Sequence, residues 1–170
     1  MTSQAQPILP KPSVLVVPPE GGRAISAFGS VATFKLLGHE TGGALCLAVA
    51  ETPPGAGPPP HVHARDDEVF FVLQGELSFL TPEGWVPAPQ GTVIFAPKGI
   101  AHTFKNAGST PSRHLVVALP SGFDEFYQRC AEVFAQPGPP DRERLTAIAS
   151  DYGYQFLRPT PGNPEPAGKS

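Results

Sequence analysis

This 170-residue chain is poor in sulfur, in basic clusters and in long apolar runs. It has two cysteines, one methionine and one tryptophan. Cys46 and Cys130 lie far apart in no thiol motif, so the expectation is two buried free thiols and no disulfide framework, cysteine metal site or thiol nucleophile. No segment approaches the roughly 18 consecutive apolar residues of a membrane-spanning helix. Residues 1–6 lack the charged and apolar regions of a secretion signal, which makes the cytoplasm the default location. Lys and Arg together number 12 against 15 Asp and Glu, a net charge of -3 with no basic block. That balance argues against nucleic acid and anionic membranes as partners.

Proline and glycine are plentiful instead, at 23 and 18 residues. They gather at the ends and between short apolar runs, as in an all-β domain with many turns. The length suits one domain with a proper core. Residues 1–12 read as an N-terminal arm. Strands are expected at 13–17, 23–28, 32–37 and 44–50, then at 68–73, 76–80, 92–95, 101–106 and 113–119. Residues 52–60 form a Pro/Gly loop, and 81–90 is rich in turn residues. Residues 13–120 thus make a barrel. The period then changes: Phe123, Phe126, Tyr127, Cys130 and Phe134 recur at helical spacing, with Ser121 and Asp124 as a capped start. A second helix is expected from Asp141 to about Tyr152, stopped by Gly153. Residues 121–157 form this helical extension, and 158–170 a Pro/Gly-rich tail.

Two histidine clusters carry the chemistry. The first runs from Gly55 through His61, His63 and Glu68 to Gly75. The second runs from Gly91 through Pro97, Gly99 and His102 to Asn106. Side chains alternate along a strand, so His61 and His63 share a face, as do Glu68, Phe70 and Val72. Three imidazoles and one carboxylate are a full protein ligand set for one divalent transition metal. Iron, nickel, manganese, cobalt, copper and zinc all tolerate it. In octahedral geometry the set leaves two positions open, which suits catalysis on a small-molecule substrate better than a structural ion.

Position for position, the two clusters resemble the two motifs of the cupin superfamily, separated by residues 76–90 as in small single-domain members. More narrowly, Gly42-Gly43, the run from Asp67 to Leu77 and Pro120-Ser121-Gly122-Phe123 resemble single-domain cupins related to bacterial quercetin dioxygenases. The resemblance implies a jelly-roll barrel of about nine antiparallel strands with one or two C-terminal helices packed outside, and a homodimer. It also implies a metal-dependent dioxygenase of aromatic or enolisable compounds, with Glu68 both ligand and general base. Two other readings stay open: a non-oxidative isomerase, cyclase or decarboxylase, and a small-molecule-binding module without turnover.

The remaining candidates have plainer alternatives. Phe70, Phe79, Phe95 and Phe104 are candidate substrate-pocket residues or ordinary barrel core. Asp66 and Asp67 fit a solvated loop better than a role behind the metal ligands. His39 reads as a surface residue in a turn. His114 lies on a strand whose parity leaves it facing either the barrel or solvent. The aromatic face from Phe123 to Phe134 packs on the barrel or covers its mouth.

Overall fold

The computed structural model describes residues 14–158, so the expected arm and nearly all of the expected tail lie outside the described residues. The chain first forms β1 (Arg23–Ala27), β2 (Ser30–Leu36), β3 (Cys46–Thr52), β4 (His61–His63) and β5 (Asp67–Gln74). There follow β6 (Glu76–Thr81), β7 (Gly84–Pro89), β8 (Val93–Ala96), β9 (Thr103–Asn106) and β10 (Ser112–Leu119). Two helices, α1 (Phe123–Phe134) and α2 (Arg142–Tyr152), precede a last strand, β11 (Tyr154–Phe156). The larger sheet has the order β1-β2-β3-β10-β5-β8, the smaller β7-β6-β9, and β11 pairs with β4. Every one of these pairings is antiparallel. The result is an all-β barrel with two C-terminal helices.

Alternation along the strands decides what faces inward. On β3, β10 and β5 the register aligns Cys46 with Ala118 and Glu68, Ala48 with Val116 and Phe70, and Ala50 with His114 and Val72. All nine are buried. Alanines at 27, 32 and 48 leave room on this inner face, and α1 fills it with Phe126 and Tyr127 while Leu145, Ile148 and Ala149 of α2 join the same core. The helices therefore pack against the barrel, over this inner face of the larger sheet.

Several expectations are corrected. Residues 14–17 form no strand; Val14 is 92% exposed, because β-prone side chains without a partner strand gain nothing from extension. The turn-rich segment contains β7, which pairs Trp85 with Leu80 of β6. Helix α1 is preceded by Gly122 with no side-chain cap. Asp124 instead accepts a 2.8 Å hydrogen bond from the Gly38 N–H, tying the helix to the turn after β2. Helix α2 matches expectation: Asp141 accepts from the Arg144 N–H, and Gly153 ends it in the left-handed region. Strand β11 has no counterpart among the expected strands.

Asn106 fixes the loop that delivers His61. Its side-chain amide donates to the carbonyls of Thr52 (2.7 Å) and Thr110 (2.8 Å), and its Oδ1 accepts from the Gly108 N–H. Its backbone carbonyl accepts from Gly55. Beside it, a Cβ on Gly57 would sit 2.0 Å from the Phe104 carbonyl oxygen, so only glycine permits this approach. Asn106→Ala takes this partner from the buried Thr52 carbonyl and from two part-buried groups, the Thr110 carbonyl and the Gly108 N–H. It should lower the unfolding free energy by about 2–4 kcal/mol in urea titration; a loss under about 0.5 kcal/mol would remove Asn106 from this role.

Candidate metal centre

His61 and His102 meet first through their backbones. Each donates its N–H to the other's carbonyl at 3.0 Å, an isolated antiparallel bridge joining the two motifs. This sets their rings 4.7 Å apart, centroid to centroid. His63, two residues along β4, projects to the same side, 4.9 Å from the His61 ring and 5.1 Å from that of His102. Glu68 enters from β5, with Oε2 3.1 Å from His102 Nε2 and 3.7 Å from His63 Nε2. One ligand atom from each of the four residues lies within 4.8 Å of the others, a group able to hold a metal ion.

The tautomers follow from the partners of the other ring nitrogens. His61 Nδ1 lies 2.8 Å from the Pro59 carbonyl, His102 Nδ1 3.0 Å from the Ile100 carbonyl and His63 Nδ1 2.9 Å from Asp66 Oδ2. Carbonyl and carboxylate oxygens only accept, so all three Nδ1 atoms carry the proton and donate. Nε2 of each ring is then left toward the cluster, where those of His102 and His63 face Glu68 Oε2; with Nε2 unprotonated, as in neutral imidazole, each can bind a metal. His61 is held well below the usual histidine range, by desolvation first and then by the neighbouring imidazoles of His102 and His63. For His63 burial also disfavours the charge, but Glu68 and the Asp66 hydrogen bond override it and raise its pKa.

Asp66 is buried rather than part of a solvated loop. Its Oδ2 accepts from both His63 Nδ1 and, at 3.0 Å, the Tyr154 hydroxyl. Tyr154 arrives on β11, opposite His63 in register, with its ring 4.1 Å from the imidazole. The sequence reading missed Tyr154, because a three-residue strand after a helix stop leaves almost no periodic signal. Asp67 takes a surface role and accepts from the Lys98 N–H.

Three of the four residues face a cavity of about 60 Å³. His61, His63 and Glu68 line it together with Phe70, Phe104, Ala48, Ala50 and Val116 of the barrel and Phe123, Phe126 and Tyr154 of the C-terminal segment. Phe70 and Phe104 are part of this lining. Phe79 stands outside the cavity lining and stacks on the His102 ring at 5.9 Å with 6° between planes. Phe95 is a correction: it is 61% exposed, since β8 turns Val93 and Phe95 to the outer face. His114 faces inward, is fully buried and lines the same cavity, apart from the four-residue cluster. His39 is exposed. Cys46 and Cys130 are free and buried, and desolvation pushes both thiols up to about 12, so neither is a nucleophile. No helix among the described residues is long and apolar enough to cross a membrane.

Comparison with known proteins agrees with this geometry. A germin-like protein (subfamily 2 member 4) of Arabidopsis thaliana is 34% identical over 120 residues, covering 67% of this chain and 54% of that protein. Germin-like protein 1-3 of Oryza sativa subsp. japonica is 32% identical over 150 residues, covering 82% and 66%. The chain spans about half the length of the curated relatives it matches. Among solved structures, a predicted oxalate decarboxylase from Thermotoga maritima superposes with a TM-score of 0.57 at 26% identity, covering 62% of this chain and 99% of that one. The polyketide cyclase RemF from Streptomyces resistomycificus gives 0.55 at 23% identity, covering 64% and 81%, a likeness of fold. The family described as "Cupin domain" matches residues 48–118, a span that contains all four clustered residues. The chain carries a cupin domain.

Proposed function

We propose that this protein is a metal-dependent cupin enzyme acting on a compact enolisable or phenolic compound, with dioxygenation as the reaction. The observation that carries the reading is the gathering of three imidazoles and one carboxylate within 4.8 Å of one another, with His61, His63 and Glu68 on the wall of an aromatic cavity. The donor set fits a divalent transition ion, and one glutamate leaves such a centre with a net charge near +1, matched to a monoanionic oxygen donor. A redox-capable ion, when bound, supplies Lewis acidity and an electron path for dioxygen. The apolar walls suit a nonpolar gas and keep bulk water from the reacting atoms. The cavity is far smaller than the several hundred Å³ of sites for drug-sized ligands, which argues against a flavonol.

The chain's own residues divide the work. Glu68, buried and on the cavity wall, is placed to take the proton of an enol or phenol onto its carboxylate oxygen. Asp66 holds His63 in its ligating tautomer, and the Tyr154 hydroxyl keeps Asp66 from swinging toward the other histidines. Phe79, stacked on His102, fixes the plane of that ring. A non-oxidative decarboxylase is the second reading, favoured by the likeness to the predicted oxalate decarboxylase.

An oxygen electrode separates the two. The protein reconstituted in turn with iron, nickel, manganese, cobalt and copper would be given catechols, short β-diketones and 2-keto acids. Oxygen uptake stoichiometric with substrate loss is expected; substrate loss without uptake would transfer the site to the second reading. His63→Ala and His102→Ala should each reduce bound metal from near one equivalent to a trace, by elemental mass spectrometry, while circular dichroism stays that of a folded barrel. Stoichiometric metal in both variants would refute the ligand set. Glu68→Gln should keep much of the metal and lose at least about 100-fold in kcat, as for removal of a general base; unchanged kcat would exclude Glu68 as the base. Asp66→Asn should weaken metal affinity about 10- to 100-fold, read by competition with a chromogenic chelator, and an unchanged affinity would show that His63 needs no such support.

A further inference from the structure

His114 stands out from the other polar groups at its end of the barrel. It is 0% exposed, and neither ring nitrogen has a hydrogen-bond partner among the described residues. Its neighbours are satisfied: Ser30 pairs with Thr52 at 2.9 Å, and Asn106 donates to the Thr52 carbonyl. The His114 ring meets Phe104 edge to face at 4.7 Å and Phe70 at 6.3 Å. These contacts orient the imidazole without offering it oxygen or nitrogen. A buried imidazole with an idle donor and an idle acceptor is costly to keep unless something else engages it. It lines the same cavity as His61, His63 and Glu68.

The register places it at the far end of that cavity. Ala118 of β10 lies opposite Glu68, and His114 is four residues further along the strand, roughly 13 Å away at about 3.3 Å per residue. Phe70 stands between the two ends, its ring 6.4 Å from His102 on one side and 6.3 Å from His114 on the other.

We propose that His114 is the distal anchor of the substrate: a neutral hydroxyl or carbonyl at one end hydrogen-bonds its imidazole while the anionic oxygen at the other end meets the metal ligands. The inference rests on the cavity being the substrate chamber and adds its selectivity. Desolvation holds the His114 pKa down to about 4, so the ring is neutral near pH 7 and offers one N–H and one lone pair. Phe104 and Phe70 flank it, and neither ring nitrogen has a hydrogen-bond partner among the described residues. A distal carboxylate would have to be desolvated there without a charged partner, which the site disfavours. The substrate class is therefore a slender molecule with an apolar body, an acidic oxygen function at one end and a neutral oxygen at the other.

Hydroxamates test this, because they bind divalent metals as monoanions. The cobalt-loaded protein would be titrated with benzohydroxamate, 4-hydroxybenzohydroxamate and 4-carboxybenzohydroxamate, following the visible cobalt spectrum. The 4-hydroxy compound should bind at least 10-fold more tightly than the unsubstituted one, and the 4-carboxy compound more weakly than either. His114→Leu should erase the 10-fold preference, read as the ratio of the two affinities within the variant, and His114→Gln should restore part of it. The Tm of metal-free His114→Leu should equal or exceed that of the parent, since the change removes an unsatisfied buried polar group. Equal affinities for the first two compounds, a preference for the carboxylate, or a preference that survives His114→Leu would overturn the anchor while leaving the chamber intact. A lowered Tm in His114→Leu would mark His114 as structural and overturn it too. No spectral change with any compound would overturn the chamber, and the anchor with it.

Discussion

The reciprocal backbone pair between His61 and His102 is the constraint on which the site depends. These residues belong to different motifs, and β4 is not part of either large sheet. Two N–H···O bonds of 3.0 Å lock them opposite each other. Once they are paired, strand alternation brings His63 to the same side, and the adjoining β5 supplies Glu68. The side chains then need only a tautomer, and three oxygen acceptors on Pro59, Ile100 and Asp66 set it. The backbone pairing and the Nδ1 contacts are both in place in the protein itself, so little ordering cost remains for binding.

The histidine clusters were legible because period-two spacing on β-prone residues is a strong signal. His61, His63 and Glu68 follow directly from it, and the glycines and Asn106 mark where the chain must turn. What stayed hidden depends on contacts distant in sequence. Asp66 looks like a loop residue until Tyr154, 88 positions later, donates to it. Phe95 looks like Phe70 in sequence, yet the two face opposite ways: β8 presents Phe95 outward and β5 turns Phe70 inward. His114 could not be oriented from its own strand. Its inward direction emerges only from the register against Ala50 and Val72.

The C-terminal segment makes the cavity what it is. Helical spacing announced an apolar face over residues 123–134, but not the surface that receives it. That surface is the inner sheet face, where alanines at 32 and 48 keep the barrel open enough for Phe126 and Tyr127 to enter. Phe28, in the two-residue turn between β1 and β2, holds a left-handed backbone at φ 51°. The strain is offset by ring contacts with Phe126, Tyr127, Phe134 and Phe156. The mouth is thus closed by a continuous aromatic cluster drawn from both ends of the described chain.

Strand β11 joins this closure to the metal ligands, since Tyr154 touches His63, Asp66 and Phe126 at once. All four clustered residues lie within positions 48–118, whereas Tyr154 and the helices lie outside them. The residues that can hold an ion and the roof over them are therefore carried by separate stretches of the chain, joined at the site through Tyr154.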